Sequence, residues 1–309
     1  MERVIVIAHR GASGERPEHT LESYRLAIEQ GADFIEPDLV MTRDGVLVAR
    51  HENEIGGTTD VAEHPEFAAR RRTQVVEGES MSGWFTEDFT LAEIKTLRAR
   101  ERLPDLRPQN CAYDGRFSVP TFDEIMELVI AANAGRPVDA AIGVYPETKH
   151  PAHFAAIGLP QEAAVLSALD RHGYGDLGSS VFIQSFDPKN LRLLRGLTDM
   201  PLVQLLEHGL GDVDEVAMYA DAIGIYKPLA SAEGVRAAHA AGLKVHVWTF
   251  RAENEFLPPE LRNGAEPGAH GDLGAEIDRY LDRGIDGFFT DFPALGVRAL
   301  AARRRRPGA

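Results

Sequence analysis

Short β-branched runs alternate with amphipathic helical stretches along most of the chain, the pattern of strands set between helices. The strand-type runs fall at residues 4–8, 34–40, 141–148, 181–185, 202–206, 222–226, 244–249 and 287–290. Helical periodicity occupies 21–30, 122–132, 161–171, 188–196, 232–241 and 275–283. Gly31, Gly173, Gly242 and Gly284 follow four of these helices, where a residue free to turn left-handed closes the last turn. Eight strands with helices between them predict one closed (β/α)8 TIM barrel. An open doubly wound sheet is the runner-up, and no Gly-rich phosphate loop follows any strand to support it.

Two stretches break the rhythm. An extra short strand at 46–50 follows the Arg43-Asp44-Gly45 turn. Residues 53–119 then carry too little regular pattern for a barrel repeat, which predicts an insertion after the second strand. The whole of 1–309 is expected to be one domain, with 53–119 as a cap-like segment over the barrel. Within that segment Thr90 and Glu93 have capping-box spacing for a helix over 90–99. The aromatic pair Trp84-Phe85 is suited to closing over a substrate. A second irregular stretch, 252–274, follows the seventh strand and would face the same rim.

Composition narrows the function classes. With 44% hydrophobic and 26% charged residues the 309-residue chain reads as a soluble globular protein, and its single cysteine, Cys111, excludes an internal disulfide. A net charge of -15 argues against nucleic acid as the partner. The same field would repel an anionic substrate unless a buried cation and local Arg or Lys reversed its sign inside a site. The basic run at 303–306 reads as a solvated helix end. Only Val4, Ile5, Val6 and Ile7 precede Ala8-His9-Arg10, too few for a signal peptide, and no stretch approaches the roughly 20 apolar residues of a membrane span. Taken as it stands, the sequence predicts a cytoplasmic protein, or a periplasmic one whose leader has been removed.

In a barrel, the C-terminal strand ends carry the chemistry. The first strand ends in His9-Arg10-Gly11 and the second carries Glu36-Pro37-Asp38. Residues i and i+2 share a strand face, so both carboxylates point the same way, and Pro37 between them makes the strand irregular. Two inward carboxylates cannot both stay ionised without a positive charge between them; a divalent cation meets that need, whereas two surface acids on a frayed strand end would not require one. The third strand ends in Glu147-Thr148-Lys149, where Glu147 can complete an all-oxygen metal site and Lys149 can reach a phosphate oxygen; an ordinary rim salt bridge is the plainer alternative. Three carboxylates without cysteine suit one hard divalent cation, Mg²⁺ or Ca²⁺, rather than Zn²⁺. His9 and His51 both fall at strand ends beside that group, and two histidines can divide proton transfer. His19, His150, His208 and His246 read as structural or rim residues. Gln184 and Phe186 share a face, with Gln184 placed to hydrogen-bond a substrate or a metal-bound water. Phe186 and Trp248 can wall a substrate's carbon chain or simply be buried in the barrel mouth. Asp291 is placed to cap the helix after the last strand.

At these residues the chain resembles the glycerophosphodiester phosphodiesterase family along its whole length. The family's His-Arg-Gly and Pro-Glu-Asn-Thr stand as His9-Arg10-Gly11 and Pro17-Glu18-His19-Thr20. Gly31-Ala32-Asp33, Glu36-Pro37-Asp38, Thr42-Arg43-Asp44-Gly45, His51 and Glu147-Thr148-Lys149 follow in order. The long insertion and the phrase at 142–147 look most like the bacterial periplasmic branch. The resemblance implies metal-dependent hydrolysis of a small-molecule glycerophosphodiester, such as glycerophosphocholine, to sn-glycerol 3-phosphate and an alcohol. It implies Glu36, Asp38 and Glu147 as metal ligands, His9 and His51 as acid and base, and Arg10 and Lys149 on the phosphate, while Gln184 would meet the glycerol or a metal-bound water. His19 stands where the family usually has Asn, and Glu52 where an Asp commonly follows the second histidine. Two rivals stay open. A lysophospholipase D-like enzyme would need an apolar approach, for which Met81, Trp84, Phe85 and Phe89 are candidates; a non-catalytic polyol-phosphate binding protein would have no use for two histidines.

Overall fold

In the computed structural model, which describes residues 3–174 and 181–305, the β-branched runs become short strands buried on both faces. Met1, Glu2 and Arg306, the last residue of the basic run, lie outside the described residues. The strands are β1 (Ile5–His9), β2 (Phe34–Glu36), β3 (Asp38–Met41), β4 (Leu47–Ala49), β5 (Arg72–Val76), β6 (Glu79–Gly83), β7 (Gly143–Val144), β8 (Glu147–Thr148), β9 (Ile183–Ser185), β10 (Leu202–Leu206), β11 (Ala222–Tyr226), β12 (Lys244–Phe250) and β13 (Gly287–Thr290). Parallel pairing runs from β3 through β8 to β13, and on through β1 and β2 to β7.

β2 and β3 are the two halves of the predicted second strand, parted at Pro37, and β7 and β8 are halves of the third, parted before Glu147 by Pro146. First halves pair with each other and second halves likewise, so the pairings lead around the fold and return, a TIM-barrel-like α/β arrangement. A proline cannot donate to the ladder but still accepts: the Glu147 amide donates to the Pro37 carbonyl, and the Gln184 amide to the Pro146 carbonyl, each at 2.9 Å. The interruptions therefore bend the strands without unpairing them. β4 is the extra strand, antiparallel to β3.

The helices are α1 (Leu21–Glu29), α2 (Leu91–Ile94), α3 (Phe122–Asn133), α4 (Pro151–Ala156), α5 (Glu162–Arg171), α6 (Pro188–Arg195), α7 (Val213–Ala217), α8 (Ala232–Ala240), α9 (Leu273–Leu281) and α10 (Pro293–Arg304). The Thr90 and Thr121 side chains cap α2 and α3, each in a complete capping box with Glu93 or Glu124. Gly31 closes α1 at φ +88°, a conformation that a Cβ would strain. One large apolar cluster includes strand residues such as Val6, Ile35 and Leu39 and helix residues such as Tyr24, Ile125 and Leu191. A smaller one draws Ile7, Phe34, Val203, Ala222 and Phe289 from strands around the ring and Tyr145 from the break between β7 and β8, where it hydrogen-bonds His246 Nδ1 at 2.6 Å.

Residues 53–119 carry the β5–β6 hairpin, several 3₁₀ turns and α2, and contribute no strand to the main sheet. The helix predicted over 90–99 stops at Ile94, because Arg98 and Ala99 leave it to bridge Ser118 and Thr59. Among the described residues no helix is long and apolar enough to cross a membrane.

Candidate active site

The site begins where β1 ends. Arg10 takes φ 59° and Gly11 φ 85°, so the chain turns sharply and the Arg10 amide donates to Glu36 Oε2 at 2.8 Å. The turn needs glycine for space as well as for its backbone angle. A Cβ on Gly11 would lie 2.7 Å from the Ser23 carbonyl carbon, inside van der Waals contact.

Glu36, Asp38 and Glu147, all buried, bring one carboxylate oxygen each within 4.8 Å of the others. Burial, then repulsion from Asp38 and Glu147, pushes the Glu36 carboxyl well above its ordinary range. Burial raises Glu147 to about 8, Asp38 adding to the effect and Lys149 opposing it. Asp38 is the exception. Burial would raise it too, but Lys149 and a hydrogen bond from His19 hold it well below the usual carboxylate range. His19 Nε2 meets Asp38 Oδ2 at 2.9 Å and its Nδ1 meets the Tyr24 hydroxyl at 2.7 Å. Lys149 Nζ donates to Glu147 Oε1 at 2.8 Å, and Gln184 Nε2 to Glu36 Oε1 at 2.9 Å. Asp38 Oδ1 is buried and has no hydrogen-bond partner. Three hard oxygen donors, two of them driven toward neutrality by crowding and one with an unused oxygen, fit a hard divalent cation.

Both histidines rest on carboxylates. His9 Nδ1 lies 2.6 Å from Asp291 Oδ1, and His51 Nδ1 lies 2.5 Å from Glu52 Oε1. Burial lowers His9 to about 4, with Arg10 adding and Asp291 opposing. Burial, then Arg10 and Lys149, lowers His51 to about 3. Asp291 stays well below the carboxylate range despite its burial, held there by Arg251, Arg107 and His9. The expectation that Asp291 caps the next helix is corrected: α10 begins without a side-chain cap, because the carboxylate is turned toward His9 and two arginines.

Arg10 lies between Glu18, at 3.0 Å, and Asp38, at 3.3 Å. Trp248 is fixed by a 2.9 Å hydrogen bond from its indole N–H to the Gly224 carbonyl, and Phe186 meets it edge-on with centroids 5.7 Å apart. A cavity of about 90 Å³ is lined by His9, Arg10, Glu36, Asp38, His51, Glu147, Lys149, Gln184, Phe186 and Trp248, the residues that the sequence proposed for metal, phosphate, substrate and proton transfer. A larger groove of about 970 Å³ adjoins it and shares His51, Lys149, Phe186 and Trp248. Sequence reasoning missed His19, Glu52, Asp291 and Arg251. His19 had one usable signal, its place in the Pro17-Glu18-His19-Thr20 motif; Asp291 and Arg251 had none, being far from their partners along the chain. Trp84 and Phe85 do not line the cavity. Phe85 is fully buried and Trp84 packs on the large core with its indole N–H on the Phe67 carbonyl, so the expected lid is an internal support of 53–119.

The sequence model of the glycerophosphoryl diester phosphodiesterase family matches residues 9–295. A glycerophosphodiester phosphodiesterase of Arabidopsis thaliana is 37% identical over 325 residues, covering 93% of this chain and 83% of that protein. One from Haemophilus influenzae is 31% identical over 339 residues, covering 96% and 89%. A crystal structure from Silicibacter pomeroyi aligns with a TM-score of 0.74 at 26% identity, covering 98% of this chain and 94% of that one. An Oleispira antarctica phosphodiesterase, solved in complex with the product sn-glycerol-3-phosphate, shares the fold with a TM-score of 0.68 at 22% identity, each chain 96% covered.

Proposed function

This chain belongs to the glycerophosphoryl diester phosphodiesterase family, and on that premise we propose that it hydrolyses glycerophosphodiesters to sn-glycerol 3-phosphate and an alcohol. The observation that carries the reading is the convergence of three buried carboxylates and two carboxylate-backed histidines on one small cavity. The product bound by the Oleispira antarctica relative is consistent with it.

Glu36, Asp38 and Glu147 would hold one divalent cation, Mg²⁺ or Ca²⁺. When bound, that ion supplies Lewis-acid stabilisation of charge on the phosphoryl oxygens. Arg10 and Lys149 line the same cavity and neutralise the phosphodiester, which the overall charge of -15 would otherwise repel. One histidine accepts the proton of the attacking oxygen as the new P–O bond forms. The other delivers a proton to the alkoxide as the old P–O bond breaks. The bound anion raises the proton affinity of the histidine it meets, which offsets the lowering by burial and Arg10. A glycerol hydroxyl attacking first would give a cyclic phosphate, and the histidines would then exchange roles for its hydrolysis. Phe186 and Trp248 wall the carbon chain, and Gln184 orients Glu36 or meets the glycerol. Phe85 and Phe89 are fully buried and neither they nor Met81 and Trp84 line the small cavity, which weighs against an apolar approach for a lysophospholipid from 53–119.

The test is release of sn-glycerol 3-phosphate from a panel of glycerophosphodiesters, with Mg²⁺, Ca²⁺ or EDTA, beside lysophosphatidylcholine. Turnover of the glycerophosphodiesters that EDTA abolishes is expected, and turnover confined to lysophosphatidylcholine would refute the reading. His9→Ala and His51→Ala should each lower kcat by about 10²-fold or more with the fold intact by circular dichroism. Near-wild-type turnover in either variant would remove that histidine from the mechanism.

A further inference from the structure

Behind each histidine stands a carboxylate, and behind each carboxylate an arginine from the same short turn of 53–119. Arg107 is almost fully buried. Its Nη2 donates to Asp291 Oδ2 and its Nε to Glu253 Oε1, both at 2.5 Å, while Nη1 reaches the Ser13 carbonyl at 3.0 Å. Arg102 grips Glu52 with both terminal nitrogens, Nη1 to Oε1 at 3.0 Å and Nη2 to Oε2 at 2.7 Å. The same guanidinium holds Glu18 through Nε at 2.8 Å and Nη2 at 2.7 Å, and Glu18 in turn accepts from Arg10. The Arg107 amide donates to the Leu103 carbonyl at 2.8 Å, so a single turn presents both side chains.

Resting on the reading of His9 and His51 as acid and base, we propose that Arg102 and Arg107 are positioning residues, which fix Glu52 and Asp291 as ionised acceptors and thereby keep a hydrogen on Nδ1 of each histidine, leaving Nε2 to accept the proton on one ring and to give one up from the other. The chemistry follows from donor counts. An ionised carboxylate can only accept, so the ring nitrogen facing it must carry the hydrogen. A carboxylate held by guanidinium N–H groups, two from Arg102 at Glu52 and one each from Arg107 and Arg251 at Asp291, resists rotating away or taking up the proton itself. Asp291 gives Oδ1 to His9 and Oδ2 to Arg107, with Arg251 Nε also on Oδ2 at 2.9 Å. Glu52 shares Oε1 between His51 and Arg102 Nη1 and gives Oε2 to Arg102 Nη2. Residues 53–119 contribute no side chain to the small cavity, yet through these two arginines they would fix which ring nitrogen each of its histidines turns to the carboxylate behind it.

The experiment compares wild type with Arg107→Gln, Arg107→Lys and Arg102→Gln by two readouts: steady-state hydrolysis of glycerophosphocholine, and the ring ¹⁵N resonances of His9 and His51 in metal-free protein. Arg107→Gln should lower kcat on the order of 10- to 100-fold with KM little changed, and shift only the His9 ring signals. Arg102→Gln should shift only the His51 signals, lower kcat by a similar factor and also raise KM, because Glu18 behind Arg10 is released. Arg107→Lys keeps the buried positive charge and guards against misfolding; it lacks the fork, so it should show the His9 shift and a smaller loss of kcat. Unchanged kcat and unchanged His9 signals in both Arg107 variants would overturn the proposal while leaving the phosphodiesterase reading intact. Signals of both histidines moving together in every variant would overturn it as well. If wild type hydrolysed no glycerophosphodiester but the ring signals still moved one histidine at a time, the function would fail and the positioning would stand.

Discussion

Glu36, Asp38 and Glu147 divide their charge unevenly: Asp38 is held ionised by Lys149 and His19, while burial and mutual repulsion push the other two upward. A cation binding here would relieve the repulsion that raises Glu36 and Glu147, so each carboxylate replaced by an amide should weaken binding and activity together. We predict that Glu36→Gln, Asp38→Asn and Glu147→Gln each lose Mg²⁺ or Ca²⁺ affinity by calorimetry in parallel with turnover. Unchanged affinity in an inactive Glu147→Gln protein would make Glu147 a substrate contact instead of a ligand. All three carboxylates were legible in the sequence, because strand periodicity alone puts residues i and i+2 on one face and hard-ion chemistry needs such clusters. His19 was legible only as a departure from the family's Asn. The structure accommodates that exchange: the position has φ 55°, which Asn and His tolerate better than most residues, and His adds a ring nitrogen on Asp38. The pairing of His9 with Asp291 could not be read at all. It spans 282 positions, and an acid just before Phe292-Pro293 looks like a helix cap from its neighbours alone.

At the scale of elements, the parts that bury apolar faces were visible and the parts held by polar contacts were not. The barrel strands read as β-branched runs, and Pro37 announced its own irregularity; Pro146 broke the third strand for the same missing N–H. The β5–β6 hairpin gave no signal, since its residues are mostly exposed and show no apolar alternation, Val75 being 64% exposed. The 90–99 stretch had good capping chemistry but ended after four residues, because two β-bridges competed for its second half. Trp84 and Phe85 looked like a lid because exposed aromatics near a site often close over substrate. In the fold they hold 53–119 together, with Phe85 fully buried and the Arg72 guanidinium 4.8 Å from its ring centroid. Phe85→Ala should therefore cost about 3–5 kcal/mol in denaturant unfolding, the usual range for a core aromatic. The ratio of kcat/KM between two headgroups should stay near wild type. A changed ratio without loss of stability would restore the lid.

Over the whole molecule, buried histidines make the fold sensitive to acid in a way the sequence could not indicate, since burial depends on the curled sheet and not on local pattern. His246 is the clearest case, because it lies in the barrel interior against Tyr145 and takes no part in the proposed chemistry. Burial lowers it to about 4, with Lys244 adding to the effect and Asp286 opposing it. An unfolded chain protonates the same ring near its ordinary value of 6.5. Between those two values the unfolded state binds the extra proton, so acidification favours unfolding. Above pH 6.5 the ring is neutral in both states and costs nothing; as pH falls from 6.5 toward 4, stability is lost at up to about 1.4 kcal/mol per pH unit from this residue alone. His9 is lowered to a similar value and adds to the slope. Replacing His246 with Phe together with Tyr145→Phe removes the titrating ring without leaving the Tyr145 hydroxyl unpaired in the core. We predict that urea unfolding of this double variant between pH 4.5 and 6.5 has a pH slope shallower by roughly one proton, about 1.4 kcal/mol per unit, whatever its absolute stability at pH 7. An unchanged slope would mean that His246 is already protonated in the folded protein, with Tyr145 or Asp286 stabilising its charge against burial.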